Sequence, residues 1–142
     1  LTNVVLPNDI TSISNYFFYN CSGLTSIIIP ENVTEIGNYA FYYCCSLTSL
    51  NIPDGVKYIT VNLFQNCYSL SSVTIPKGVV SIGRYAFNYC YSLKSVNIFL
   101  AKFKYSSFAN AVTVCMFSGE KIFKIKPPLF LLLNTFVYNG YS

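Results

Sequence analysis

The chain contains no histidine, and that absence excludes His-based catalytic triads, histidine-ligated zinc and the commonest general base. Carboxylate chemistry is hardly better served. The acidic residues are Asp9, Glu31, Glu35, Asp54 and Glu120, and no two share a catalytic spacing. No Cys-x-x-Cys pair occurs among the 6 cysteines, so neither a zinc site nor a thioredoxin-like redox site is expected. Charge of either sign is scarce, at 10% of residues. The net charge of +4 lies wholly in residues 99–142, where Lys102, Lys104, Lys121, Lys124 and Lys126 outnumber Glu120. Lysines without arginine make a weak electrostatic footprint, and no nucleic-acid partner is expected. Leu129–Tyr138 is strongly apolar but interrupted by Asn134 and Thr135, which falls short of a membrane span. It reads as a buried cap strand or helix, with interfacial membrane contact as the alternative. These absences together predict no enzyme, no metal and no cofactor.

What is present is a period. Pro7, Pro30, Pro53 and Pro76 recur every 23 residues, each followed 14 residues later by Cys21, Cys44, Cys67 or Cys90. Leu1, Leu24, Leu47, Leu70 and Leu93 keep the same register, as do Phe18, Phe41, Phe64 and Phe87. The unit reads L-x-x-[ILV]-x-[IL]-P-x-x-[VI]-x-x-I-x-x-x-x-F-x-x-C-x-x. A fixed period of this size marks a solenoid, in which each unit buries its apolar face only against its neighbours.

Leu24, Ile27 and Ile29 match the L-x-x-L-x-L core of a leucine-rich repeat, so a short strand is expected with residues 27 and 29 inward and 28 outward. Pro30 lacks the N–H to continue it. Val33 and Ile36 re-enter the core as a second short strand, Gly37 and Gly83 permit the turn that follows, and Asn38–Cys44 is expected to form one helical or 3₁₀ turn carrying Phe41 as a core plug. The fold class is therefore a leucine-rich-repeat solenoid of short parallel β-strands over residues 1–98, about four 23-residue units. Residues 99–142 form a degenerate repeat, C-terminal cap or tail: Ser106–Phe108 resembles a worn aromatic turn, and Ala111–Phe117 and Lys121–Lys126 read as short strands. Because Leu1 already sits on the repeat leucine, the chain is expected to be a piece of a longer protein.

The repeat position also orders the chemistry. Cys21, Cys44, Cys67 and Cys90 form a column in which distance alone permits bridges between neighbours, whereas packing favours reduced core thiols; Cys45 and Cys115 lie off it. Glu31 and Asp54 share one position after proline, which reads as a solvated turn. Outward strand positions carry Asn3, Ser26, Ser49, Ser72 and Ser95, flanked by Val5, Ile28, Asn51, Thr74 and Asn97. That row of small polar groups suits multivalent contacts, and equally a solvated sheet. Tyr19, Tyr42, Tyr43, Tyr68, Tyr89 and Tyr91 make a second candidate surface, since tyrosine is enriched at interface hot spots. Two sequons occur, at Asn20 and Asn32, of which Asn32 is expected to be the more accessible.

The run Leu47-Thr-Ser-Leu-Asn-Ile-Pro53, followed by Val56, Ile59, Phe64 and Cys67, resembles the BspA-type leucine-rich repeat, as does Ile82-Gly-Arg-Tyr-Ala-Phe87. The resemblance covers residues 1–98. Tyr16-Phe17-Phe18 and Asn62-Leu63-Phe64 depart from its Tyr-Ala-Phe. Members of that family are in the main large repetitive proteins of oral bacteria and parasitic protists, often at the cell surface and implicated in adhesion to host proteins or cells. The resemblance thus implies a protein-interaction module, cell-surface or secreted, that adheres to host or matrix proteins. The alternative is a cytoplasmic scaffold for an intracellular protein partner, which reduced thiols would suit.

Overall fold

The computed structural model describes residues 2–98, with only the backbone of the final four. The expectations placed on residues 99–142 and on Cys115 lie outside the described residues. Each coil contributes a strand where the L-x-x-L-x-L pattern predicts one: β1 (Asn3–Val5), β3 (Ser26–Ile28), β5 (Ser49–Asn51), β7 (Ser72–Ile75) and β9 (Ser95–Ile98) form one parallel sheet in that order. Its register is the sequence period itself, with Asn3 opposite Ser26, Ser26 opposite Ser49, Ser49 opposite Ser72 and Ser72 opposite Ser95.

Alternation then decides the faces. Ile27 and Ile29 are buried, whereas Ile28 between them is 83% exposed. The inward residues meet the other repeat columns in one core: Leu24, Leu47 and Leu70, Val33 and Val56, Ile36 and Ile59, and the phenylalanines. Phe18, Phe41, Phe64 and Phe87 stack along the axis at centroid separations of 5.2, 5.6 and 5.4 Å. Among the described residues every buried side-chain nitrogen or oxygen has a hydrogen-bond partner.

A second set of short strands follows each proline turn: β2 (Ser12–Ile13), β4 (Glu35–Ile36), β6 (Tyr58–Ile59) and β8 (Ser81–Ile82). β2 pairs with β4 and β6 with β8, but β4 and β6 are not paired. The next repeat position explains the gap. At Gly37 an added Cβ would lie 2.4 Å from the Asn15 nitrogen, and at Gly83 one would lie 2.6 Å from the Val61 nitrogen. Glycine is what lets one coil close on the last, through Gly37 N–H to the Ile13 carbonyl and Gly83 N–H to that of Ile59. At the middle junction the residue is Thr60, whose hydroxyl instead donates to the Gly37 carbonyl at 2.9 Å.

The segment expected to be helical is not a helix. Tyr42 N–H donates to the Tyr39 carbonyl and Cys44 N–H to that of Phe41, as in two tight turns. Between them, Tyr39, Phe41 and Tyr43 donate outward to Val61, Leu63 and Gln65 of the next coil. Tyr39 and Tyr43 hold φ of 57° and 60°, and left-handed residues interrupt any helical run. The turn behaves as a third inter-coil ladder, so its backbone is satisfied by stacking and not within itself.

Candidate binding surfaces

The cysteine column lies against these turns and is chemically quiet. Cys44, Cys67 and Cys90 are buried, while Cys21 is only half-buried. No bridge links neighbouring positions, because Cys21, Cys44 and Cys67 are thiols. Each buried sulfur donates to the carbonyl of the preceding coil's phenylalanine: Cys44 Sγ to Phe18 O at 3.2 Å, Cys67 Sγ to Phe41 O at 3.1 Å and Cys90 Sγ to Phe64 O at 3.0 Å. The column thus supplies an inter-coil bond that an alkyl group cannot. Burial, reinforced by Cys21, pushes the Cys44 thiol up to about 12, and burial with Cys90 and Cys44 nearby raises Cys67 well above its ordinary range. Thiols held neutral in this way make poor nucleophiles.

Two surfaces remain for binding. The first is the outer face of the five-stranded sheet, where Asn3, Ser26, Ser49 and Ser72 stand in one exposed column and Val5, Ile28, Asn51 and Thr74 in the next. Ser95 and Asn97 continue the register at backbone level. One column further out, hydroxyls are committed to structure: Thr25 and Thr48 donate to the Thr2 and Thr25 carbonyls and Ser71 to that of Thr48. Ser26 donates to Asn3 Oδ1 at 2.9 Å. The side chains of Ser49, Ser72, Asn51 and Thr74 make no hydrogen bond among the described residues and face solvent. Beside them Val5 and Ile28 pair across strands while 94% and 83% exposed, an apolar spot within a polar field.

The second surface is a tyrosine ridge along the turns. Tyr16 stacks on Tyr39 at 4.8 Å, Tyr19 on Tyr42 at 5.3 Å and Tyr68 on Tyr91 at 5.5 Å. Tilted and edge contacts join these pairs: Tyr16 to Tyr19, Tyr39 to Tyr42, Tyr42 to Tyr43, Tyr43 to Tyr68 and Tyr91 to Tyr89. A side-chain hydrogen bond with Tyr43, with desolvation adding to it, pushes the Tyr68 phenol up to about 12. Tyr42, Tyr68 and Tyr91 therefore fall on one continuous strip, and the serine and asparagine candidates fall on the sheet. Strip and sheet are built by different segments of each coil.

Sequence reasoning passed over Tyr16 and Tyr39, which join the strip, although both occupy one repeat position. Phe17 stands where Ala40, Leu63 and Ala86 are buried, yet is 57% exposed and packs edge-on to Phe18 at 4.9 Å. Asn20 is exposed like Asn32, contrary to the expected difference between the sequons: its left-handed turn, φ 57°, holds it outside the half-buried Cys21. Asn32 Nδ2 donates to the Asn8 carbonyl at 2.9 Å. Glu31 and Asp54 are exposed, and no cluster of three or more metal-ligating side chains occurs among the described residues. No helix among them is long and apolar enough to cross a membrane.

The repeat and the fold it builds have counterparts among known proteins. Residues 1–115 match the BspA type leucine rich repeat region in 6 copies. The chain belongs to the BspA-type leucine-rich repeat family. Among solved structures, a leucine-rich repeat protein of T. pallidum is 32% identical with a TM-score of 0.64, the match covering 66% of this chain and 46% of that one. A leucine-rich repeat protein of Bacteroides ovatus is 35% identical with a TM-score of 0.55, covering 68% and 33%. A leucine-rich cell surface protein of Faecalibacterium prausnitzii shares the fold at 24% identity, with a TM-score of 0.67 and coverage of 78% and 34%. The chain thus spans less than half the length of each of these relatives. No curated protein matches it. BspA-type repeats are typically non-enzymatic modules that bind proteins, and their ligands are set by the residues grafted on the coil, not by the coil.

Proposed function

We propose that this BspA-type segment is a cell-surface adhesion module that binds a host or matrix protein through the outer face of its five-stranded sheet. The observation that carries the reading is the pairing of uncommitted polar side chains, Ser49, Ser72, Asn51 and Thr74, with the almost fully exposed Val5 and Ile28. Parallel sheets normally have both faces covered, and an exposed apolar spot rimmed by polar groups is the composition of an interface centre. Each coil repeats the same small contact, so affinity accumulates along the axis without any single strong pair. The F. prausnitzii relative is a leucine-rich cell surface protein, which supports the location.

Biotinylation of intact source cells, with a cytosolic protein as control, tests the location. Labelling of the segment supports adhesion. Recovery only in the unlabelled lysate sinks it and favours an intracellular scaffold using the same face. On the purified chain, Ile28→Lys is expected to abolish capture of matrix proteins without loss of secondary structure, since the residue contributes nothing to the core.

A further inference from the structure

We propose that the tyrosines at the first coil junction are an oxidative cross-linking site, where a haem peroxidase and hydrogen peroxide join one coil to the next through a dityrosine bond. The first observation is proximity. Tyr16 stacks on Tyr39 at 4.8 Å and Tyr19 on Tyr42 at 5.3 Å, with 8° and 1° between the ring planes. Within each coil the rings also meet, Tyr16 with Tyr19 at 5.8 Å and Tyr39 with Tyr42 at 5.6 Å. These phenols close a square that bridges two coils. The second junction holds an edge-on pair instead, Tyr43 with Tyr68 at 75° between planes, and no stacked tyrosine pair among the described residues.

The second observation is access. Tyr16 and Tyr19 are 53% and 50% exposed, whereas Tyr39 and Tyr42 of the next coil are half-buried. An oxidant in solution therefore reaches the first coil, and the nearest phenolic partner is already fixed in the second. The Asn66 side chain hydrogen-bonds the Tyr42 phenol and holds that ring in place. The third observation is backbone strain. Tyr16 and Tyr39 share a column with left-handed backbone, φ 59° and 57°, which Asn62 fills at 57°. Asparagine adopts this conformation far more readily. The coil therefore needs the dihedral angle and not the phenol, and a strained residue kept where a milder one serves points to a role outside folding.

In the reaction, hydrogen peroxide is reduced to two waters as two phenols each give up one hydrogen atom, leaving a phenoxyl radical on each ring. The radicals pair between carbons ortho to oxygen and form one C–C bond. The hydrogens on those two carbons then move to the oxygens and restore both phenols. Stacked rings must tilt for the ortho carbons to meet, and exposed side chains make such motions in picoseconds to nanoseconds. Holding both partners in one fold makes the coupling unimolecular, so in dilute solution it outruns coupling between molecules. The product staples the first two coils together on the turn side.

Treating the dilute full chain with a haem peroxidase and hydrogen peroxide tests the proposal, read by dityrosine fluorescence and by mass spectrometry after cleavage at glutamate. Cleavage after Glu31 and Glu35 parts Tyr16 and Tyr19 from Tyr39 and Tyr42. The expected product is one peptide from each side, joined with loss of two hydrogens, in a yield that dilution does not change. Tyr39→Asn combined with Tyr42→Phe keeps the left-handed turn and one ring, and is expected to retain the wild-type circular dichroism while losing the cross-link. Tyr16→Asn combined with Tyr19→Phe makes the same test from the first coil. Tyr58 is the internal control for exposure alone: it is 59% exposed on β6 and meets no other ring among the described residues. Absence of dityrosine, bonds only between molecules, a bond formed mainly at Tyr58, or an unchanged yield in a folded double variant overturns the site. Sheet-face adhesion is untouched by any of these outcomes, because it uses other residues.

Discussion

The two sheets of this solenoid share one period and the same neighbours, yet one runs unbroken through β1, β3, β5, β7 and β9 while the other stops between β4 and β6. The difference teaches where a repeat tolerates variation. Outward strand positions accept Asn, Ser, Val, Ile and Thr while each strand stays paired with its neighbour, because those side chains leave the sheet at right angles. At the position after the second strand an added Cβ would come within 2.4 to 2.6 Å of the preceding backbone, so close pairing there needs glycine, and Thr60 forgoes it. Its hydroxyl bond to Gly37 O replaces the lost backbone closure and keeps the coils in contact.

Breaking both sheets at once should have the largest effect. Phe41→Ala removes the ring stacked between Phe18 and Phe64 and is expected to cost about 3–5 kcal/mol in chemical denaturation. Hydrogen exchange should quicken in strands of both sheets; loss confined to one would show that the stack does not couple them.

Alkaline pH acts on the turn side through its buried thiols. The Cys44 thiol, ordinarily near 9.0, lies at about 12 in the fold, so above 9 the unfolded chain sheds a proton that the folded chain keeps. Stability is full below pH 9 and falls between pH 9 and 12, by at most about 4 kcal/mol from this residue. Exchange at the turn amides of Phe18 and Phe41 should lead the loss, with Cys44→Ala flattening the profile; an unchanged profile in that variant refutes the assignment.

Gly37→Thr copies the middle junction into the first. The added side chain meets Asn15, and a cost of about 2 kcal/mol is expected, with selective loss of protection at the amide of residue 37. The reverse change, Thr60→Gly, should extend the second sheet by pairing β4 with β6. The gained closure offsets glycine's entropy, leaving stability within about 1 kcal/mol of wild type. New protection at residue 60 is the decisive readout; its absence would mean that Thr60 is not what parts the strands.

The core was legible because its signal is redundant. Leu24, Leu47 and Leu70, or Ile36 and Ile59, state the same instruction in successive coils, and strand alternation by itself puts Ile28 outside. The turn was misjudged because seven residues, Asn38–Cys44, with one aromatic plug at Phe41, carry no period that separates a helical turn from two tight ones. The distinction rests on where Phe41 N–H goes, and its partner, Leu63 O, is supplied by the next coil. The cysteine column was recognised as packing, while its hydrogen bond was not, since the acceptor lies 26 residues away. Of the candidate surfaces, the serine and asparagine rows were found by period alone. The tyrosine set was found in part, because the left-handed backbone that turns Tyr16 and Tyr39 outward, φ 59° and 57°, leaves no mark in the sequence.

The 23-residue period by itself determined the solenoid class, the register of the strands that pair and the residues that share a column, because a repeated pattern of apolar spacing admits one stacking in which all copies bury the same face. The tertiary structure alone decided which backbone groups pair between coils, where the second sheet breaks and that separate tyrosines fuse into one strip. Those outcomes depend on distances of a few ångströms between residues far apart in the chain, which spacing along the sequence does not encode.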